Sequence, residues 1–567
     1  MNNFEEIIHN LKIKNFDKAL ELCSSYEDFK NKHIIFNIKG VIYTQKGNYQ
    51  TAEEYFLKSS NLDKKFVDPV KNLYLLQLKN NNFLKLLIYA KKLINFDYYN
   101  PSFNYFLAYA LELNNETNQA IEFYKKNIDL NGSEKKKSFN NIASIYFFKK
   151  KYKDALEFFL KAYDVDNKDR LVANNIFRTY LRLRDLDNCY IYFNICEKLD
   201  KNYKEFIINK CEFFFINNKI DEAIAILEKY THDINFLLLL TKINFTIGKS
   251  KEGLDLLNKA KINNLSHKKL NTSLSFRFLS EGHFKEGFDL YENRSSKNID
   301  YFKNINEWCG ESLDNKNIIV FNEQGLGDAI QFSKYLIPLS KISNNVYFFV
   351  QESIFDLFDN KIKNLEISSL KSNKNINAHY KISLGSLIKY FYDQKINSNE
   401  LSIKIDEQKK NYFKTIINSK KLSVGIVWSG YIYGFQQPYR SIPLEKYKKI
   451  LDLDVDFYCL QNEIWERDLD FFKKVKLNNF SHLNFKDISA LISNLDLILT
   501  VDTSFLHIAS SLNKETWGLL SIDHDWRWDK FDKINPYNNL KFFRQKNFNN
   551  WDDVLENVYN LIKTMIK

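Results

Sequence analysis

The chain has 567 residues, of which 44% are hydrophobic and 16% aromatic, so it is too long for one core and apolar enough to bury several. These fractions exclude global disorder. The net charge of +12 comes from lysines scattered along the sequence, and basic runs such as Lys135–Lys137 are no longer than three residues, so no nucleic-acid partner is expected.

The N-terminal sequence MNNFEEIIHNLKIKNF has no apolar run of signal-peptide length, and no apolar stretch of 18 residues follows it. We therefore expect a cytoplasmic protein without a transmembrane segment. The six cysteines form no CxxC pair and no cluster with histidine at metal-ligand spacing. Reduced thiols and no metal site are the expectation.

Small residues recur through the N-terminal half, two or three positions after an aromatic or aliphatic residue. Such a residue lets two helices approach closely, and the aromatics after it fill the gap against the next unit. Successive positions are 30 to 35 residues apart, a period typical of the helix pairs of tetratricopeptide units. The anchors are Ala19, Ala52, Ala120, Ala155, Ala223, Gly253 and Gly287, and two weaker copies fill the gaps at Leu86 and Cys189, which makes nine.

This period predicts an all-α tetratricopeptide superhelix of about nine helix-turn-helix units over residues 1–294, followed by a linker at 295–314. One unit alone cannot bury its apolar stripe, so the units must stack, and stacking creates a concave face. Since such arrays usually bind peptides or protein surfaces, we expect a protein partner on that face.

Short apolar runs alternate with helical segments from about residue 315. The runs have strand length and are NIIVF (317–321), VYFFV (346–350), YKISL (380–384), SVGIVW (423–428), VDFYCL (455–460), LDLILTV (495–501) and ETWGLL (515–520). Strands alternating with helices predict parallel sheets covered on both faces. A second strand-then-glycine start near residue 420 indicates two α/β lobes, 315–415 and 416–567, the second ending in an amphipathic helix.

The first of three notable loops is NEQGLGDAIQF (322–332), in a chain that has only 15 glycines. Ligands of parallel sheets bind outside the carboxyl ends of the strands, where this loop lies. Gly325 and Gly327 form a tight turn and would also let the backbone come close to a ligand. Asp328 is either a helix cap or a carboxylate held at the cleft.

Two further loops follow strands of the second lobe. WSGYIYGFQQPYRSIPL (428–444) delivers Arg440, which either pairs with phosphate or faces solvent. In TVDTSFLHIAS (500–510), Asp502 ends a strand and Thr503 or Ser504 caps the next helix, with His507 in the first turn. Free N–H groups at that helix start are suited to an anion.

Several of these motifs together resemble the heptosyltransferase-like glycosyltransferases of family nine, and more closely bacterial proteins that fuse tetratricopeptide repeats to such a domain. The resemblance covers about residues 308–547. It rests on NEQGLGDAIQFSKYL, VGIVWSG with RSIPL, YCLQ, LDLILTVDTSFLHIASSLNKETWGLL, and DWRW with FFRQ. It implies a GT-B fold of two Rossmann-like lobes with a nucleotide-diphosphate sugar in the cleft, and inverting transfer of a hexosyl or heptosyl group without a metal.

The resemblance also implies roles for individual residues. Asp328 matches the position of the catalytic base, and the donor diphosphate would bind at Asp502, Thr503, Ser504 and His507. Arg440 lies near the basic residue of the middle loop, and Gln461 and Glu466 lie where nucleoside contacts are expected. The acceptor would be a protein or a glycan, recruited by the repeats.

Two other interpretations stay open. The chain is a non-catalytic scaffold if its glycosyltransferase-like domain has degenerated. Alternatively, the glycine loop binds a methyl donor or a dinucleotide, with Glu352 after VYFFV as the acid that binds the ribose. The second interpretation does not explain the anion-binding loop of the second lobe.

Overall fold

The computed structural model describes residues 3–25, 31–262, 267–298, 301–302, 304–372, 376–396, 401–417, 420–431, 437–529 and 537–566. They form two compact units, residues 1–213 and 214–567. The boundary between these units lies before the predicted linker, so the last helices of the repeat region share a unit with the α/β region. Among the described residues, no helix is both long enough and apolar enough to cross a membrane.

Helices α1–α18 account for the described part of residues 3–291. They are Asn3–Lys12, Phe16–Ser24, Lys32–Gln45, Tyr49–Leu62, Asp68–Lys79, Phe83–Phe96, Pro101–Leu113, Thr117–Asp129, Lys135–Phe148, Tyr152–Val165, Arg170–Leu183, Leu186–Asp200, Lys204–Ile216, Ile220–Glu228, Ile234–Thr246, Ser250–Ile262, Lys268–Glu281 and Phe284–Tyr291. Each predicted anchor is the fourth residue of an even-numbered helix and is buried. The predicted repeat of helix pairs is therefore confirmed.

All the anchors except Leu86 are small, because the paired helices touch there. A Cβ atom added to Gly253 on α16 would lie 2.7 Å from the ring of Phe245 on α15. In the first unit, side chains one repeat apart also bond, as between Asn72 Nδ2 and Asn37 Oδ1 at 2.9 Å. The 34-residue period thus reflects close helix packing as well as apolar burial.

The turn within each pair contains one residue in the left-handed conformation, five positions before the anchor. These residues are Lys14, Gly47, Asn81, Asn115, Lys150, Arg184, Asn218, Gly248 and Gly282, with φ between +54° and +88°. A left-handed residue is the usual way to end a helix and reverse the chain. In this glycine-poor sequence, asparagine and basic residues take six of the nine positions.

The α/β region contains β1–β13 among the described residues. They are Asn306–Glu307, Asn317–Phe321, Asn345–Val350, Phe358–Asn360, Leu365–Ser369, Tyr380–Ser383, Leu401–Ile403, Ser423–Val427, Asp456–Cys459, Asn478–Asn479, Leu497–Val501, Glu515–Leu520 and Leu540–Arg544. All seven predicted strands are present within two residues at either end. Helices α19–α28 are Leu326–Phe332, Leu336–Ile342, Leu384–Phe391, Glu407–Ile416, Gln437–Arg440, Lys448–Leu451, Glu466–Phe472, Phe485–Ile492, Ser504–Ser511 and Asp552–Met565.

Eleven of these strands form two parallel sheets, which confirms the predicted α/β architecture, and β4 and β7 form a small antiparallel pair. The first has the order β1-β6-β2-β3-β5 and the second β10-β9-β8-β11-β12-β13. The chain reverses its direction of winding between β2 and β6 in the first sheet, and between β8 and β11 in the second. Loops that follow the strands on either side of such a reversal leave a crevice, which is where ligands of open parallel sheets bind.

A buried arginine, Arg294, joins the last repeat to the first sheet. The segment after it begins with a short 3-10 helix, Ser295–Asn298. Arg294 donates to Glu323 at 2.7 and 2.9 Å and to the hydroxyls of Ser383 and Ser386 at 2.7 and 2.8 Å. Glu323 follows β2 and Ser383 ends β6. The crevice of the first sheet is therefore filled by a side chain from the repeat region.

Candidate functional site

A cavity of about 560 Å³ lies where loops after β2, β8, β9 and β11 meet, within the range of small-molecule sites. Nine of the ten residues that the sequence singled out line it: Gly325, Gly327, Asp328, Arg440, Gln461, Asp502, Thr503, Ser504 and His507. Residues from both sheets therefore converge on one cavity. The tenth, Glu466, is an exposed residue at the start of α25 and does not line it.

Close contacts around α19 explain both glycines, since a Cβ atom at Gly325 would lie 2.9 Å from Asp328 Oδ2. A Cβ atom on Gly327 would lie 2.7 Å from Cδ2 of His507 and 3.6 Å from the Cα atom of Ser504, so only glycine lets α19 lie this close to α27. Gly325 has φ −71°, which any residue can adopt, and its N–H donates to Asp328 Oδ2 at 2.9 Å. Gly327 thus lets α19 of the first lobe pack against the start of α27 in the second.

Asp328 is both a helix cap and a member of a buried ion-pair network. Its Oδ2 atom accepts the N–H of Gly325, while its Oδ1 atom accepts a hydrogen bond from Arg527. Its side chain is 16% exposed. The two interpretations of this carboxylate are therefore compatible, because one oxygen serves the helix and the other faces the cavity.

Arg527 is the site residue that the sequence interpretation missed. Its guanidinium pairs with Asp328 of the first lobe and with both carboxylate oxygens of Asp525 at 2.9 Å. Burial alone would lower the pKa of Arg527, but the neighbouring carboxylates raise it well above its ordinary value. For Asp525 the signs are opposite: burial would raise its pKa, but the charge of Arg527 holds that pKa below the ordinary value. The motif DWRW contained this pair, without indicating which partner it meets.

The start of α27 has no side-chain cap among the described residues. Thr503 occupies the N-cap position, as predicted, but its hydroxyl lies 3.1 Å from the hydroxyl of Thr500 rather than on a helix N–H. The prediction that a hydroxyl caps this helix is therefore wrong. The first-turn N–H groups keep their capacity to bind an anion, and the positive end of the helix dipole adds to it.

Arg440 and Asp502 form the adjoining wall. Arg440 ends the short helix α23, and its Nη1 atom lies 3.9 Å from Asp502 Oδ2. Burial raises the pKa of Asp502, and the charge of Arg440 opposes that rise. Close by, the buried hydroxyl of Ser429 has no hydrogen-bond partner among the described residues. This wall therefore offers a cation, a partly compensated carboxylate and an unused hydroxyl.

Gln461 and His507 contribute structure to the cavity wall. The Gln461 amide is used on backbone groups: its oxygen accepts the N–H groups of Trp428 and Ser429 at 3.2 and 3.1 Å, and its nitrogen donates to two carbonyls. His507 Nδ1 lies 3.2 Å from the hydroxyl of Tyr537, and burial, with the charge of Arg527, lowers the His507 pKa to about 3. The imidazole is therefore neutral at physiological pH.

Glu352, the acid of the dinucleotide interpretation, does not line the cavity. It pairs with Lys371 at the surface, and its side chain is 57% exposed. None of the six cysteines, all of which are described, forms a disulfide, and all are buried except Cys309.

Comparison with known proteins identifies the repeats. A family model for the tetratricopeptide repeat matches residues 35–66 and 137–169, which lie on α3–α4 and α9–α10. Together with the helix pairs described above, this match makes the N-terminal half a tetratricopeptide-type array. The search of curated proteins found no match.

Similar solved structures include several that are named as tetratricopeptide repeat proteins. They include Pseudomonas aeruginosa pilF, with 15% identity, TM-score 0.32, and coverage of 36% of this chain and 94% of that chain. The C-terminal part of a TPR repeat-containing protein from Cytophaga hutchinsonii has 16% identity and TM-score 0.35, covering 45% and 98%. A tetratricopeptide repeat protein from Parabacteroides merdae has 11% identity and TM-score 0.35, covering 42% and 96%.

Proposed function

We propose that the α/β region is a GT-B-type glycosyltransferase that moves a sugar from a nucleotide-diphosphate donor to an acceptor hydroxyl. The observation that carries the proposal is the convergence of Asp328, Arg440, Arg527 and the uncapped start of α27 on one cavity at the winding reversals of two parallel sheets. A carboxylate facing two arginines and a helix N-terminus suits a reaction in which a proton is removed and a diphosphate departs.

The diphosphate would bind on the second lobe. Arg440 and the first-turn N–H groups of α27 would hold its oxygens, and Arg527 would add a second cation. These donors are fixed before the reaction, so they would stabilise the charge that develops as the sugar–phosphate bond breaks. Gln461 would act by holding the loop at Ser429 in place.

Asp328 would be the base on the first lobe. Its carboxylate would take the acceptor proton as the acceptor oxygen bonds to the anomeric carbon, while the bond from that carbon to the phosphate oxygen breaks and the nucleoside diphosphate leaves with the electron pair. In the structure, Arg527 donates a hydrogen bond to one oxygen of this carboxylate. Donor phosphates would compete for Arg527, so that donor binding frees the Asp328 carboxylate for proton transfer.

The remaining features of the proposal come from the resemblance to the heptosyltransferase-like family. They are inversion at the anomeric carbon, no metal requirement, and transfer of a hexosyl or heptosyl group. The tetratricopeptide array would recruit a protein partner or the acceptor itself, since such arrays present extended binding surfaces.

Donor binding and turnover in three variants test the proposal. Calorimetry against UDP, GDP, ADP and CDP and their hexose conjugates identifies the donor, and release of the nucleoside diphosphate measures hydrolysis. Asp328→Asn should lower turnover by a factor of about 10² to 10⁴, the range for losing a general base, without weakening donor binding. Asp525→Asn should weaken donor binding, because Arg527 loses the partner that orients it.

Glu352→Gln is the matched control, because this exposed carboxylate follows a strand of the same lobe but lies outside the cavity. Loss of nucleotide affinity in Glu352→Gln would favour the dinucleotide interpretation. Full activity of Asp328→Asn would contradict the proposed base.

The alternative is a tetratricopeptide scaffold with a degenerate transferase domain, and the repeat similarity favours it as a second candidate. In that case the wild-type protein would bind protein partners but hydrolyse none of the nucleotide sugars.

A further inference from the structure

A second cavity, of about 330 Å³, lies between the last repeats and the second α/β lobe, within the same compact unit. One wall comes from α15 and α17, the first helices of the last two pairs, and contributes Thr241, Lys242, Lys269 and Phe276. The opposite wall is the loop 521–526 after β12. The fold therefore places a face of the tetratricopeptide array directly beside the candidate site.

This second cavity adjoins the first, because Arg440 and Asp502, whose side chains lie 3.9 Å apart, line both. A molecule bound against the repeats would therefore lie next to the residues proposed to hold the donor diphosphate.

The lining of the second cavity carries a net positive charge. Its three carboxylates each face an arginine: Asp523 lies 2.8 Å from Arg277, Asp525 lies 2.9 Å from Arg527, and Asp502 lies near Arg440. Four cations, Lys242, Lys269, Arg277 and Arg440, line the cavity against these three carboxylates. An acidic occupant is favoured, since complementary potentials guide association.

The remaining surface suits a chain that is partly apolar and rich in hydrogen-bonding groups. Phe245 is covered by the Arg277 guanidinium at 3.6 Å, while Phe276 is 40% exposed. Thr241 is 2% exposed, lines the cavity, and its hydroxyl has no hydrogen-bond partner among the described residues. A backbone amide of an extended peptide would supply that partner.

We propose that this second cavity is the acceptor subsite and that it binds an acidic polypeptide segment against Thr241, Lys242, Lys269 and Phe276. The segment presents a side-chain hydroxyl past Arg440 to Asp328, which takes the hydroxyl proton as described above. A polypeptide is favoured over a glycan because one wall consists of stacked tetratricopeptide helices, a surface that binds extended peptides. The inference rests on the proposed glycosyltransferase function.

Charge reversal at the two lysines tests the inference in the full-length protein. The probes are a fluorescein-labelled peptide in which glutamates flank one serine, its counterpart with lysines in place of the glutamates, and an oligogalacturonate as an acidic glycan. Anisotropy measures peptide binding, and competition with the labelled peptide measures glycan binding. In Lys242→Glu with Lys269→Glu, affinity for the acidic peptide should fall at least tenfold and affinity for the lysine peptide should rise.

Lys268→Glu is the matched control, because Lys268 is an exposed neighbour on α17 outside the cavity lining. It should leave peptide affinity within twofold. Lys269→Glu alone replaces the double variant if the latter does not fold, and Phe276→Ala tests the apolar wall independently, with an expected loss of several-fold.

The outcomes separate this inference from the proposed function. Equal binding of both peptides, or binding of oligogalacturonate without peptide binding, would overturn the acidic polypeptide. A protein that binds nucleotide sugar but none of the three probes keeps its proposed function and loses this subsite. A protein that binds the acidic peptide at the lysines but no nucleotide keeps the subsite and loses the transferase function.

Discussion

Replacing Arg294 by alanine should destabilise the second compact unit, residues 214–567, more than any surface change at the same junction. The guanidinium is 4% exposed and bonds to Glu323, whose side chain is fully buried, and to Ser383 and Ser386. Burial would lower the pKa of Arg294, and Glu323 raises it above its ordinary value. The variant leaves the buried carboxylate of Glu323 without its ion-pair partner.

The magnitude follows from that uncompensated carboxylate. Breaking a buried ion pair by removing one partner costs about 3–5 kcal/mol. In a unit of this size a loss of 1 kcal/mol lowers the melting temperature by about 2 °C, so the expected decrease is roughly 6–10 °C. Removing both charges, in Arg294→Leu with Glu323→Leu, should restore most of the stability, because well-packed apolar residues can replace a buried pair.

Tryptophan fluorescence gives the readout for this unit alone. All seven tryptophans lie between Trp308 and Trp551, so fluorescence during urea or thermal unfolding does not report residues 1–213. Lys389→Ala is the matched control. Lys389 pairs with Asp289 at 2.6 Å across the same junction, but the two side chains are 38% and 50% exposed, and such pairs contribute less than about 1 kcal/mol.

The reasoning is refuted if Arg294→Ala lowers the melting temperature no more than Lys389→Ala. Two fragments of the chain should differ in stability for the same reason. Residues 300–567 lack Arg294 and leave Glu323 unpaired, whereas residues 214–567 retain the pair, so the longer fragment should be the more stable of the two by the same fluorescence measurement.

Three further outcomes are expected. Gly327→Ala should cost about 1–3 kcal/mol and weaken donor binding, because its Cβ atom would meet His507 at 2.7 Å and separate the helices of the two lobes; denaturation and calorimetry measure this. Thr503→Ala should change stability less than Asn484→Ala, since Asn484 caps α26 through the N–H of Asp487 at 2.9 Å, a bond that contributes about 1 kcal/mol. Burial lowers the pKa of His507 to about 3, so below the ordinary value of about 6.5 the unfolded chain binds a proton that the folded chain does not. The contribution of neutral His507 to the free energy of unfolding is therefore fully present above about pH 6.5. It should fall by about 2 kcal/mol between pH 6.5 and pH 5, and the free energy of unfolding of His507→Gln should depend less steeply on pH.

The sequence predicted the central strands and missed the edges. The seven predicted strands include every internal strand of both sheets, which are buried on both faces and therefore appear as continuous apolar runs. The missed strands are β1, β5, β10 and β13 at the sheet edges, and the small β4–β7 pair. Edge strands such as Leu365–Ser369 carry polar residues and have one partner, so neither composition nor alternation distinguishes them from loops.

The turn geometry of the repeats was predictable in position but not in residue type. The nine left-handed residues recur at a fixed distance from the anchors, yet glycine occupies three of these positions. Asparagine tolerates this conformation through its short polar side chain, whereas Lys14, Lys150 and Arg184 are held there by the flanking helices. The period could therefore be recognised from the anchor residues, where the helices pack, and not from the residue types in the turns.

The loops of the site were predictable because strand topology fixes where loops converge, but their partners were not. Asp328, Arg440 and Asp502 follow strands and so had to lie at the carboxyl edges of the sheets. Arg527 pairs with a carboxylate 199 positions earlier in the chain, and no local pattern encodes a contact over that separation. Glu466 shows the converse error, since proximity in sequence to Gln461 does not bring its side chain into the cavity.

The two winding reversals are used differently, and this difference accounts for the attachment of the repeats. In the first sheet, Arg294 from the repeat region occupies the crevice between β2 and β6 and neutralises Glu323. In the second sheet, the crevice between β8 and β11 stays an open cavity lined by Arg440 and the start of α27. The diphosphate of the proposed donor would therefore bind at the second crevice, while the loop after β2 contributes Asp328 to the same cavity. Because Arg294 closes the crevice between β2 and β6, the last repeat is part of the α/β core, and the face that it turns toward Arg440 forms a wall of the second cavity.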